Sequence, residues 1–274
     1  MAGYDAIGEK YLFVKQIPTA IVERSNLYAA VAPYVKGARV LDLACGYGYY
    51  STLLLEWGAS AVVGIDLSAA MIGAAEKRRE MLPPTVREAL QYRVGDAISL
   101  GKVDDEGFDL VVGAWLLNYA ADQEGVEGML TTAARNLRAP NGVFVGICTP
   151  PVRMKELDEY AAWNNRTAER KKEILRMELK YRKGAWGKNW TVDARIFDEH
   201  GEEVVAFSGF HLPTEVYSAA ARRAGMQGLL EWIPVKLLDE VREEALKRNE
   251  EELFREYFDE LGPHFGVVVI KKSE

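Results

Sequence analysis

Val40-Leu-Asp-Leu-Ala-Cys-Gly-Tyr-Gly-Tyr49 decides how this chain folds. It reads as a strand that ends in two glycines and opens a helix, and glycine lets the backbone bend tightly while a ligand approaches a main chain without Cβ. The next apolar run ends at Asp66, 20 residues after Gly46. A carboxylate there can accept both hydroxyls of an adenosine ribose. The third glycine of a dinucleotide fingerprint would fall at position 51, which is Ser51, so close helix packing against a pyrophosphate is not provided. Asp42, four residues before Gly46, adds an anion that would repel a diphosphate and attract an ammonium.

Working outward, apolar runs and helical patterns alternate from Arg39 to Cys148. The strands are Val40-Leu-Asp-Leu, Ala61-Val-Val-Gly-Ile, Tyr92-Arg-Val, Phe108-Asp-Leu-Val-Val and Gly142-Val-Phe-Val-Gly-Ile. Continuous β-branched runs at this spacing predict parallel strands buried on both faces. Ser68 reads as the N-cap of a helix reaching Arg79, and Glu127 to Leu137 repeats apolar residues at helical spacing. The fold class is α/β, a doubly wound Rossmann-like sheet of seven mostly parallel strands. Residues 1–36 read as a helical lid and 37–150 as the ligand-binding core. Residues 151–211 read as an inserted substrate cap: a charged helix from Met154 to Leu175, then a three-stranded antiparallel meander. Residues 212–274 complete the core sheet, with a helix from Thr214 to Ala224 stopped by Gly225, and strands at Leu229–Ile233 and Gly266–Ile270. All four segments form a single domain.

These segments resemble the successive motifs of class I S-adenosylmethionine (SAM) dependent methyltransferases, over about residues 36 to 150. The resemblance implies that Asp42, Ala44, Gly46, Tyr47 and Gly48 pass the methionine chain of SAM over the glycine loop. It implies that Asp66 holds the ribose, with Leu67 and Met71 flanking the adenine. Gly95-Asp96-Ala97 matches a third motif, in which Asp96 accepts from the adenine amino group and the Ala97 amide contacts the ring. Ala114 and Trp115 then lie against the cofactor. The leading helix is similar to that of small-molecule enzymes of the glycine N-methyltransferase and toxoflavin N-methyltransferase types, which implies that Arg24 holds the SAM carboxylate and that Tyr11 is a lid residue near the methyl group.

The implied activity is methyl transfer from SAM, with S-adenosylhomocysteine as product, to a small aromatic or heteroaromatic acceptor, N- or O-methylation being favoured. Proximity and orientation are the main catalytic effect. Aromatic residues gather around the cap, at Tyr160, Trp163, Tyr181, Trp186, Trp190 and Phe210. Tyr160, Trp163 and Tyr181, with Asn118 and Tyr119 from the fourth-strand loop, are the expected acceptor contacts. His211, after the third meander strand, is the candidate base beside Tyr11. His200 reads as solvated and His264 as structural. Rival readings are an NAD(P) oxidoreductase, a non-catalytic SAM-binding subunit and a macromolecule methyltransferase.

Composition narrows the partners. The net charge of -7 and the mixing of Lys and Arg with Asp and Glu speak against a nucleic-acid substrate. Cys45 and Cys148 make no disulfide framework, and no uncharged apolar stretch approaches a membrane span, so a cytoplasmic protein is expected. No cluster has metal-ligand spacing, and none is expected to bind metal. The expected assembly is a monomer or homodimer.

Overall fold

The computed structural model of the protein describes residues 8–138, 142–184, 189–226, 228 and 230–272, with side chains from residue 12 onward. Trp186 and the Tyr11 side chain therefore lie outside the described residues.

The expected parallel strands form at β1 (Arg39–Leu43), β2 (Ala61–Asp66), β3 (Leu90–Val94), β4 (Leu110–Ala114) and β5 (Val143–Cys148). The chain then crosses to a meander of β6 (Met177–Lys183), β7 (Trp190–Phe197) and β8 (Glu203–His211). It returns to the main sheet with β9 (Leu230–Ile233) and β10 (Gly266–Lys271). The main sheet has seven strands in the order β3-β2-β1-β4-β5-β10-β9, and β10 alone runs antiparallel to its neighbours. Register is set by the apolar runs: Val40 stands beside Val62 on one side and Leu110 on the other.

Because side chains alternate across a strand, each strand feeds two cores. Val40, Val62, Leu110 and Val112 pack with helices α1 (Ala20–Val35), α2 (Tyr49–Glu56) and α3 (Ala69–Glu80). Leu41, Leu43, Val63, Ile65 and Val111 pack with the helices Gln123–Asn136 and Thr214–Arg223 on the opposite face. Val40, Leu41, Leu43, Val62 and Val111 are wholly inaccessible. At ~1.5–3 kcal/mol per buried aliphatic side chain, these runs hold the register against a one-residue slip, which would turn every one of them over. Strand order reverses between β1 and β4, and such a switch point opens a crevice at the carboxyl ends of the strands.

Local signals behave as their chemistry dictates. Ser68 caps α3 by accepting from the Met71 N–H at 3.2 Å, and Gly225 takes φ 78° just beyond the helix Thr214–Arg223. Two expectations need correction. The charged helix does not run unbroken from Met154: it forms as Leu157–Arg166 and Ala168–Leu175. Between them, the Thr167 hydroxyl donates back to the Trp163 carbonyl at 3.0 Å and competes with the helical ladder. Among the described residues the N-terminal stretch is helical in two pieces, a 3-10 segment, Gly8–Lys15, followed by α1. The third meander strand extends to His211, which pairs opposite Trp190. Pairing with β7 carries the strand beyond Val204-Val-Ala-Phe207, through Gly209 opposite Val192 and Phe210 opposite Thr191. Among the described residues, no helix is long and apolar enough to cross a membrane.

Candidate functional site

The glycine loop leaves β1 at the switch point. Gly46 adopts φ 55°, and no atom lies within 4 Å of where a Cβ would stand, so the loop presents bare backbone to open space. Gly48 adopts φ 81° as N-cap of α2, and a Cβ there would lie 2.1 Å from the Tyr92 hydroxyl. The loop is fastened from the second strand. Asp66 accepts from the Gly46 N–H at 2.8 Å and from the Ser68 N–H at 2.9 Å, so one carboxylate links the β1 and β2 turns. A carboxylate is an acceptor-only group with two oxygens, the chemistry that a ribose diol requires.

Asp42 lies beneath this loop, 1 % exposed, and its carboxylate accepts from the Ser51 hydroxyl at 2.6 Å. The residue that replaces the third glycine thus supplies the anion's own donor. Burial pushes the Asp42 carboxyl up to about 7, Ser51 pulls it back, and the Asp66 charge adds a smaller upward push. The folded protein therefore holds this proton more tightly than the unfolded chain does. Stability should fall as pH rises from about 4 to about 7 and level off above. Asp42→Asn removes this dependence. The variant should gain on the wild type by on the order of 2–4 kcal/mol between those limits, measured as denaturation midpoints across pH. A gap unchanged between pH 5 and pH 8 contradicts the assignment.

Among the described residues, four non-glycine residues have positive φ: Ala44, Trp115, Arg176 and Asn249. Arg176 and Asn249 are helix C-caps, an ordinary use of that conformation. Ala44 (φ 61°) and Trp115 (φ 65°) instead follow the two central strands β1 and β4, so strained backbone is concentrated on both sides of the switch point. Leu67 is 48 % exposed beside the loop, whereas Met71 is buried. Asp96 accepts from the Ile98 N–H at 2.9 Å, which shapes the turn after β3, and the Gly95 N–H donates to the Asp66 carbonyl at 2.9 Å. Ala97 and Ala114 are at least partly buried near these turns, and Tyr47 is packed under the Arg78 guanidinium at 5.7 Å. The expected cofactor residues thus gather at the ends of β1 to β4. Arg24 does not join them: it is exposed on α1 while its neighbour Glu23 turns inward.

Between those strand ends and the meander lies a cavity of about 70 Å³, room for several waters at roughly 10–15 Å³ each. Trp115, Asn118 and Tyr119 line it from the β4 side, and Val14, Ile17 and Glu23 from the N-terminal segment. Met177, Leu179, Val192, Ala194 and Ile196 form its wall on the small sheet. That wall is more aliphatic than the aromatic count around the cap suggests. Tyr181 and Phe210 reach it, but Tyr160 and Trp163 do not line it. They pack on each other at 5.8 Å, and Tyr160 stands edge-on to Tyr181 at 5.9 Å. The Asn118 Oδ1 is buried and has no hydrogen-bond partner among the described residues, an open valence of the sort ligands fill.

His211 stands behind this wall, fully buried. Its Nε2 lies 2.9 Å from the Pro150 carbonyl, which only accepts, so Nε2 carries the proton. Its Nδ1 lies 3.2 Å from the Tyr181 hydroxyl and accepts from it. Burial pushes the ring down to about 4, and neither nitrogen is left for an acceptor's proton. As placed, His211 supports Tyr181.

Sequence reasoning missed Glu23, Lys15 and His264. Glu23 is 4 % exposed and accepts from both Lys15 and the Tyr50 hydroxyl. Burial raises its carboxyl, but Lys15 and these donations together outweigh that and hold it below its ordinary value. Its signal was an acid on an apolar helical face. His264 lines the cavity and stacks on Trp115, a placement that only the return of the chain at β10 creates.

A family described as a methyltransferase domain matches residues 40–142. The ubiquinone biosynthesis O-methyltransferase of Rhizobium johnstonii is 33% identical over 130 residues, covering 47% of this chain and 49% of that protein. The chain spans about half the length of the curated relatives it matches first. A SAM-dependent methyltransferase of Mesorhizobium loti, solved as a crystal structure, superposes with TM-score 0.54 at 23% identity, covering 93% of this chain and 97% of that one. A methyltransferase of Streptomyces caelestis gives TM-score 0.58 at 16% identity, covering 92% and 89%. The fold is shared along nearly the whole chain, and the glycine loop and Asp66 lie inside the matched region: residues 40–142 are similar to a methyltransferase-domain family, on a fold that solved SAM-dependent methyltransferases share.

Proposed function

We propose that the chain transfers the methyl group of SAM to nitrogen or oxygen of a small, largely apolar acceptor seated in the cavity. One observation carries this reading: Trp115, at the strained turn on the cofactor side, and the aliphatic wall of the small sheet line the same cavity. Bound across the strand ends, SAM supplies a methyl carbon already activated by its sulfonium. The chain's own residues have the simpler tasks of binding, aligning and drying. Asp66 takes the ribose, the Gly46 backbone lets the methionine chain pass, and the Asp42 charge beneath the loop favours its ammonium. Met177, Leu179, Val192 and Ile196 exclude water from the acceptor, while Asn118 and Tyr119 orient it. Alignment of this kind lowers a barrier by ~7–11 kcal/mol without a general base, in keeping with the engaged nitrogens of His211.

The test is a tritiated-methyl transfer screen over phenols, heteroaromatics, amines and thiols, run on the wild type and on Ala194→Trp. The larger side chain fills the cavity from its wall. It should lower transfer at least about tenfold, or ~1.4 kcal/mol, and leave SAM affinity unchanged. Binding of SAM with no transfer to any acceptor class would instead favour a non-catalytic SAM-binding subunit, a reading to which the self-packed Tyr160 and Trp163 lend some support.

A further inference from the structure

His264 closes the cavity at the end where the chain leaves β4. It lies in Gly262-Pro263-His264, 8 % exposed, with its ring stacked on Trp115 at 6.0 Å and 11° between planes. Two hydrogen bonds tie it to Tyr257. The His264 backbone N–H donates to the Tyr257 hydroxyl oxygen at 3.3 Å, and that hydroxyl stands 2.8 Å from the ring's Nδ1.

Tyr257 is fully buried, and His264 is its hydroxyl's hydrogen-bond partner among the described residues. A hydroxyl has one proton and two lone pairs. With a proton on Nδ1, the oxygen would accept twice and its own proton would point at nothing, which costs the desolvation of a buried donor. With Tyr257 donating to Nδ1, every group is satisfied. The neutral ring then carries its proton on Nε2. That nitrogen has no hydrogen-bond partner among the described residues, on a side chain that lines the cavity.

We propose that His264 donates a hydrogen bond from Nε2 to the acceptor substrate, that Tyr257 is the positioning residue that fixes this tautomer, and that the cavity therefore selects acceptors bearing a carbonyl or similar lone-pair atom beside the methylated one. The inference rests on the cavity being the acceptor site. In this state the ring has no free lone pair, so it holds the acceptor and does not take its proton. Selection follows from the cost of leaving Nε2–H without a partner, which a purely hydrocarbon guest would impose.

The test uses the full chain and two probes of nearly equal size, acetophenone and ethylbenzene, which differ by a carbonyl. Long-range proton–nitrogen spectra of His264 should show the proton on Nε2, and Tyr257→Phe should shift part of the population to Nδ1–H. Acetophenone should bind at least about tenfold more tightly than ethylbenzene, ~1.4 kcal/mol, and His264→Phe, which keeps the stack on Trp115, should close that gap. A proton on Nδ1 in the wild type overturns the proposal, as do equal affinities for the two probes, joint failure to bind included. A tautomer indifferent to Tyr257→Phe overturns the role of Tyr257. Binding of S-adenosylhomocysteine in the same samples separates the two readings. Retained binding with an Nδ1 proton refutes this inference alone, whereas lost binding with an Nε2 proton and a carbonyl preference refutes the methyltransferase reading alone.

Discussion

Asp66→Ala is expected to weaken SAM and S-adenosylhomocysteine binding by roughly two to four powers of ten, since it removes two hydrogen bonds to a charged group at ~1.5–3 kcal/mol each. The effect reaches past the ribose. Without the carboxylate, the Gly46 and Ser68 N–H groups lose their acceptor and the glycine loop loses its fastening to β2. Denaturation should therefore show a loss of about 1–3 kcal/mol as well. Asp66→Asn separates the two contributions. Its amide oxygen can still serve one backbone donor, so stability should recover more than affinity does. Titration calorimetry and denaturant unfolding on the three proteins decide the matter. An Asp66→Ala chain that binds as tightly as the wild type removes Asp66 from the site.

Gly48→Val should abolish binding of both nucleosides and cost several kcal/mol of stability, the larger structural effect of the two. Two costs combine there. A β-branched residue at φ 81° is strained by about 1–3 kcal/mol. Its Cβ would also stand 2.1 Å from the Tyr92 hydroxyl and 2.7 Å from its ring. Tyr92 is 8 % exposed, so the ring has little room to withdraw. Pairing the change with Tyr92→Ala should relieve the clash and leave the strain, and the double variant should be more stable than the sum of the single changes implies. Strict additivity in thermal denaturation would mean that the ring and the loop do not meet.

The core strands and their mostly parallel, doubly wound arrangement were legible because they rest on local chemistry. Runs such as Val143–Cys148 are buried on both faces, and Ser68, Gly225 and the Gly46–Gly48 pair act within a few residues of themselves. Asp42 and Ser51 were legible singly but not as a pair, since their hydrogen bond depends on α2 folding back over β1. The histidines show the limit most clearly. His211 and His264 each precede or end a strand, and nothing near either reveals that one is walled in between Pro150 and Tyr181 while the other faces a cavity. That difference comes from contacts across the fold: β8 lies against β7, and the turn before β10 lies on Trp115. The aromatics around the cap misled for the same reason, because count along the chain does not say which rings pack on each other. The turn at Trp115 carried no warning at all, since a tryptophan at φ 65° is held there by the surrounding fold against its own preference.

In the proposed function, the strand ends around Gly46 and Asp66 hold a sulfonium nucleoside. Titration calorimetry of the folded wild-type chain with S-adenosylhomocysteine tests it most directly. Saturable binding at a single site, strongly weakened by Asp66→Ala, is the expected result. No heat and no competition with SAM, from a chain whose circular dichroism shows it folded, would contradict it.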